Sequence, residues 1–222
     1  TVFHHRTTGP SFGRETLKKA PTCRAIYVSH LYEKSETLLF QIPHWKNECG
    51  GAVGWNPGKT QFAQGFATYH QVFPAIDVLI LNVEEAAQFT GMEPEKIPIE
   101  QTNAQHFGTK VSAGSEFAID YLMDVRRVGK KFLDAGVKSV VITDGKRGSQ
   151  LFDQAGNHVW VPTINESPKS TLGAGDAFSV GFISAILHGQ SHTKCMLWGS
   201  RNATATVREF GAQNGKLELE EM

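Results

Sequence analysis

The stretch "STLGAGDAF" at 170–178 carries the residue types that could handle a phosphate. Gly173, Ala174 and Gly175 are small, so a ligand can come close to the backbone. If they form the first turn of a helix, their free N–H groups and the helix dipole make an anion site. Asp176 beside such a site would repel an anion unless it has chemistry to do. A carboxylate next to a transferring phosphoryl group can take the proton of an attacking hydroxyl while N–H groups hold the developing charge. On the residues alone three readings stay open: an anion hole with its base, a plain helix start in which Asp176 favours the dipole, and a dinucleotide loop. The third is weakened because Phe178 stands where G-x-G-x-x-G needs glycine, and because "NESPKS" separates the loop from the preceding strand.

A second stretch, "GWNPGKT" at 54–60, competes for the same task. The phosphate-binding G-x-x-x-x-G-K-[ST] loop needs four residues between its glycines. Gly54 and Gly58 enclose only Trp55, Asn56 and Pro57, and the required position holds Val53. Pro57 also removes an N–H from a loop whose purpose is to offer them. The spacing therefore predicts a strand-to-helix turn, with Lys59 as a surface charge at the helix start.

These loops need elements to hold them. Short β-branched runs alternate with amphipathic stretches. Strands are expected at 25–29, 52–56, 77–82 and 137–143, with a hairpin over "GSQLFD" and "NHVWVPT". Helices are expected at 35–42, 60–73, 83–91, 115–136, 173–189 and 193–211, the fourth being the longest. Residues 92–114 read as a connection. Alternating strand and helix implies an α/β fold with a mostly parallel sheet and helices on both faces. Ligands in such sheets bind at the carboxyl ends of strands. The loops to watch are 56–60, 82–85, 143–148 and the approach to 173.

Composition narrows the function classes. The 222 residues carry 22 basic and 22 acidic side chains, so no broad field draws nucleic acid or a membrane surface. No apolar run approaches the ~20 residues of a membrane-spanning helix, and no apolar signal core opens the chain. Cys23, Cys49 and Cys195 are far apart, which fits a reducing, cytoplasmic setting without disulfides. His4 and His5 are adjacent and would point to opposite faces of a strand, which argues against a joint metal site.

With "STLGAGDAFSVGFISAIL" (170–187), "LNVEEAAQFTG" (81–91), "VVITDGKRGSQLF" (140–152) and "GSRNATATVREFGA" (199–212) in this order, the sequence resembles the ribokinase-like PfkB family of carbohydrate and nucleoside kinases. "WNPG" resembles a strand-end turn of many members. The resemblance spans roughly residues 20–215 and implies a ribokinase-like three-layer sandwich forming one α/β kinase domain over 1–222. It implies an ATP-dependent transfer to a hydroxyl of a sugar or nucleoside. Asp176 would be the general base, and the N–H groups of Gly173, Ala174 and Gly175 the anion hole. Asn82 and Glu85 would order Mg²⁺ and its waters. Thr143, Gly145 and Gly148 would line the ATP phosphates, Lys146 or Arg147 would add a charge, and Asn202 would lie near the nucleotide. Asn82 has a plainer alternative, that it is only an N-cap.

Two departures stand out. Ser170 occupies the place of an Asp that is associated with a monovalent cation in many members, which argues against K⁺ activation. The family's opening strand, with its Asp for substrate hydroxyls and its G-G-N segment, has no counterpart here. Residues 1–10 resemble the lid strand that lies well inside a full member, so the chain is expected to be the C-terminal, nucleotide-binding part of a fold truncated at its N-terminus. The lid often mediates dimers in this family, so the resemblance leaves a homodimer of the full-length protein open without deciding the oligomeric state. The alternative, from another class, is a non-catalytic nucleotide-binding or regulatory domain, or an inactive fragment of such a kinase.

Overall fold

The computed structural model describes residues 2–3, 23–31, 33–101, 105–106, 119, 121–164, 168–211, 214–215 and 217–221. The expected lid remnant at 1–10 lies outside them except for Val2 and Phe3. The chain divides into two compact units. The first comprises 1–94, 126–141 and 152–156, and the second 95–125, 142–151 and 157–222.

In the first unit, β1 (Val2–Phe3), β2 (Ala25–Val28), β3 (Ala52–Trp55) and β4 (Val78–Asn82) lie side by side in chain order. All three pairings are parallel, with Tyr27 opposite Gly54 and Trp55 opposite Leu79. Parallel neighbours need crossovers, and the sequence supplies helices for them. A 3₁₀ stretch at Glu33–Gln41 runs into α1 (Ile42–Cys49), so the helix expected at 35–42 is a tighter turn leading into a later helix. α2 (Lys59–Gln64) is shorter than the expected 60–73 because Gly65 takes φ 84° and breaks it. Two 3₁₀ turns, at 66–69 and 73–75, follow. α3 (Val83–Thr90) and α4 (Arg126–Asp134) complete the unit.

The core of this unit is aromatic. Trp55, Tyr69, Phe73 and Phe132 are fully buried, and Phe89 stands perpendicular to Trp55 with ring centroids 6.1 Å apart. Burying each such ring contributes roughly 1.5–3 kcal/mol. One carboxylate enters the interior. Glu36 accepts hydrogen bonds from the Tyr69 hydroxyl, the Gln64 amide and the Gln61 amide. Burial first, and then the facing Glu36, push the Tyr69 phenol well above its ordinary range. Gln61 also donates to the Leu31 carbonyl oxygen at 2.6 Å and accepts from the Gly58 N–H at 2.9 Å. The loops after β2 and β3 are thereby tied together. At the opposite end of the strands, Asp77 accepts from the Val53 N–H at 2.7 Å and pairs with Lys46 and Lys138.

In the second unit, β5 (Glu95–Pro98) and β7 (Tyr121–Asp124) form an antiparallel ribbon, with Pro98 opposite Tyr121. Here the structure corrects the expected long helix at 115–136. Tyr121–Asp124 is a strand, and the helix starts only at Arg126. The segment is strand because β5 offers it a partner, in a stretch expected to be only a connection; pairing overrides local propensity. β8 (Ser139–Thr143) and β9 (Ser149–Asp153) pass from one unit to the other. β9 neighbours β10 (His158–Val161), as the expected hairpin requires, and β10 pairs in parallel with β6 (Gln105–His106).

α5 (Ala174–Leu187) and α6 (His192–Val207) pack closely. Their crossing rests on two glycines: a Cβ on Gly181 would stand 2.7 Å from the Trp198 carbonyl oxygen, and one on Gly199 2.9 Å from that of Phe178. α6, not the segment at 115–136, is the longest helix among the described residues. None of these helices is long and apolar enough to cross a membrane.

Candidate active site

The loop before α5 turns on Gly173. It caps the helix at φ 83°, a left-handed conformation that glycine adopts without steric cost. Ala177 N–H makes the first helical bond back to the Gly173 carbonyl oxygen at 2.9 Å. Ala174 N–H closes a turn onto Thr171 at 3.3 Å. No side chain caps the helix. Gly175 and Asp176 therefore stand in the first turn, where N–H groups have no partner within the helix. Both residues are exposed, and a Cβ added to Gly175 would meet nothing within 4 Å. The result is an open, positively polarised helix start with one carboxylate beside it. Such an arrangement can receive an anion and hold a base next to it.

The approach to this loop is tethered at its other end. The N–H groups of Lys169 and Ser170 donate to the Val207 carbonyl oxygen, at 2.8 and 3.3 Å. The side chain of Asn202, expected near the nucleotide, is held by the protein itself. It is 2 % exposed, its amide donates to Ala177 at 2.7 Å, and its carbonyl oxygen accepts from Leu217 N–H at 3.0 Å. Both ends of the side chain are consumed in fixing α5 to α6 and to the C-terminal segment.

Thr143 ends β8, and the chain then makes a compact 3₁₀ turn over Gly145–Arg147. Gly148 closes it at φ 89°, with Asp144 N–H donating to its carbonyl oxygen at 2.7 Å. The spacing T-x-G-x-x-G is thus the spacing of a turn that returns on itself. Arg147 grips Asp144 through two hydrogen bonds, Nε to Oδ2 at 2.7 Å and a terminal nitrogen to Oδ1 at 2.6 Å. Its charge is spent inside the loop. Lys146 is exposed and pairs with no carboxylate among the described residues. Of the two cations that could serve a ligand, the structure leaves Lys146. The pairing by Asp144 escapes a reading for ligand-binding residues; its i, i+3 offset from Arg147 is the one signal of it.

Asn82 and Glu85 lie in the first unit, at the start of α3. They form a reciprocal capping box: Glu85 N–H donates to Asn82 Oδ1 at 2.8 Å, and Asn82 N–H donates to Glu85 Oε2 at 2.9 Å. Asn82 is thus the N-cap of α3. No group of three or more His, Cys, Asp or Glu that could hold a metal ion occurs among the described residues. One carboxylate is what a Mg²⁺ held mainly by phosphates and water asks of a protein, so Glu85 fits that use and a cage of protein ligands does not. The turn at 56–60 is also a structural device. Asn56 donates to the Ile80 carbonyl oxygen at 2.7 Å, and a Cβ on Gly58 would fall within 2.5 Å of the His30 ring.

Comparison with known proteins agrees with the motifs. Residues 59–219 match the model of the pfkB family carbohydrate kinases. A ribokinase of Bacillus subtilis is 33% identical over 84 residues, 36% of this chain and 28% of its own length. The structure of Arabidopsis thaliana ribokinase complexed with ribose and ATP superposes with a TM-score of 0.67 at 23% identity, covering 93% of this chain and 56% of that one. A Burkholderia thailandensis nucleoside kinase in complex with inosine gives a TM-score of 0.63 at 18% identity, over 92% of this chain and 56% of its own. The chain thus spans under two thirds of the length of these relatives. At such identities the structural likeness speaks for the fold, which is α/β of the ribokinase type with a mostly parallel sheet. The match over 59–219 covers well over half of the sequence, and the chain belongs to the pfkB family of carbohydrate kinases.

Proposed function

We propose that this chain is the nucleotide-side part of an ATP-dependent kinase that phosphorylates a hydroxyl of a sugar or a nucleoside. One observation carries the reading: a helix start at Gly173–Gly175 with no side-chain cap and exposed at Gly175, with the exposed carboxylate of Asp176 in its first turn. Family membership supports it, as do neighbours of the same fold that hold ribose with ATP, or inosine. ATP and Mg²⁺ are the implied cofactors, and the three scattered cysteines support a cytoplasmic location.

In this proposal Asp176 accepts the proton of the acceptor hydroxyl. The oxygen so freed forms a bond to the γ-phosphorus, the bond from that phosphorus to the β-bridging oxygen breaks, and ADP leaves. Backbone N–H groups of the 173–175 turn, aided by the helix dipole, hold the negative charge that builds on the transferred group. Mg²⁺ would supply neutralisation of the phosphate charge and orientation of its oxygens. Glu85, with Asn82 holding its carboxylate in place, would orient that ion's waters. Thr143 and Gly145 would contact the ATP phosphates, Gly148 would shape their turn, and Lys146 would add a positive charge. Asn202 would act on the nucleotide side through the packing of α5 and α6.

The test is Asp176→Asn in the full-length protein. Loss of a general base slows turnover by about 10²–10⁴-fold, while ATP binding should persist. Phosphorylation of sugars and nucleosides at an undiminished rate would remove Asp176 from the mechanism.

A further inference from the structure

The β5–β7 ribbon meets the 143–148 loop through Tyr121. Tyr121 opens β7. The Arg147 guanidinium carbon lies 5.0 Å from the centroid of its ring, and an Arg147 terminal nitrogen donates to the Tyr121 hydroxyl at 3.2 Å. Lys96, on β5, places its ammonium 4.5 Å from the same ring centroid. Two cations share one aromatic ring, an attraction worth about 0.5–2 kcal/mol for each according to its exposure.

Arg147 is thereby held from three directions. Its fork closes on Asp144, its side chain rests on Tyr121, and its backbone carbonyl oxygen accepts from Trp160 Nε1 at 2.9 Å. Thr163 Oγ1 donates to the Gly145 carbonyl oxygen at 2.6 Å from the other side. The carbonyl oxygens of Asp144, Gly145, Arg147 and Gly148 and the arginine side chain are engaged within the protein, while the Lys146 side chain is exposed.

We propose that Arg147 is a positioning residue, and that the β5–β7 ribbon, acting through Tyr121, sets the conformation of the 143–148 turn and with it the placement of Lys146. The inference rests on the reading of that turn as the nucleotide side. It goes beyond that reading in giving a ribbon that bears none of the site residues a part in nucleotide affinity. The arginine contributes its planar fork, matched to the Asp144 carboxylate and stackable on a ring, rather than its charge alone.

The experiment has two readouts on the full-length protein. The first is amide hydrogen exchange at Asp144, Arg147 and Gly148, whose N–H groups are bonded within the turn. Tyr121→Ala should raise their exchange about fivefold, the loss of one such ring contact, with β10 amides unchanged. The second is ATP affinity, by titration with ATP and Mg²⁺. It should weaken about fivefold in Tyr121→Ala, with the KM of the acceptor unmoved. Tyr121→Phe keeps the ring and should restore both values. Arg147→Lys keeps the charge but loses the fork, and should behave as Arg147→Ala does. Unchanged exchange in Tyr121→Ala, or full rescue by Arg147→Lys, overturns the proposal. If the unsubstituted protein binds no ATP, the nucleotide reading falls, and the exchange result alone decides whether the ribbon braces the turn.

Discussion

Replacing Gly175 by alanine separates binding from folding. Gly175 is the second residue of α5, it is exposed, and a Cβ there would meet nothing beyond its own helix turn and chain neighbours within 4 Å. Alanine exceeds glycine in helix propensity by up to about 0.5–1 kcal/mol. In a protein of this size that is a rise in Tm of roughly 1–4 °C. The methyl group nonetheless enters the space in front of the first-turn N–H groups, where the phosphoryl group is proposed to sit. Displacing the group from one such donor costs about 10²–10³-fold in kcat. Gly175→Ala should therefore melt at the same or a higher temperature while kcat falls at least tenfold. Differential scanning calorimetry and a coupled ADP-release assay on the full-length protein measure the two. A variant that is more stable and retains full kcat would show that phosphate does not bind there. A variant that is destabilised would show that the helix start is not as open as described.

The same substitution at Gly148 should have the opposite profile. Its φ is 89°, and a Cβ would stand 2.7 Å from Pro162 Cα and closer still to the Val161 carbonyl oxygen, so Gly148→Ala should lower stability by about 2–4 kcal/mol in urea unfolding. Burial alone would raise the pKa of Asp77, but Lys138, Lys46 and the Val53 N–H together hold it below the usual value. A depressed folded pKa adds stability above the unfolded pKa and loses it as pH falls through the folded one. Asp77→Asn should thus cost about 1–3 kcal/mol at pH 7, with the gap to the unsubstituted protein closing below about pH 4. Burial pushes the Cys195 thiol up to about 11, whereas Cys49 is exposed. A maleimide at pH 7.5 should modify Cys49 in the native protein and reach Cys195 only after unfolding, as peptide mass mapping would show.

Local chemistry made some features readable. The helix after Gly173 and the N-cap at Asn82 depend on residues within three or four positions of one another, and they form where the spacing places them. "GWNPGKT" also forms the strand-to-helix turn that its spacing predicts, because the length of a turn is a property of the chain. The fold class follows from alternating apolar runs, which any parallel sheet requires. Other features depend on partners distant in sequence. Tyr121–Asp124 is a strand only because Glu95–Pro98 pairs with it. Gly65 ends α2 through a left-handed conformation that glycine permits but does not compel. Asn202 is taken up by Ala177 and Leu217, and this was not visible in a motif that suggested a ligand.

By itself, then, the sequence determined the local conformations of the phosphate-loop candidates, since backbone freedom at glycine and side-chain capping act over a few residues. Only the tertiary structure decided which side chains stay available to a ligand. Arg147 and Lys146 are neighbours of the same charge, and nothing in their order separates them. Packing does: Asp144 and Tyr121 claim the arginine, and the lysine is left in solvent. A cation already turned onto a carboxylate and a ring offers a ligand less than one that is left in solvent.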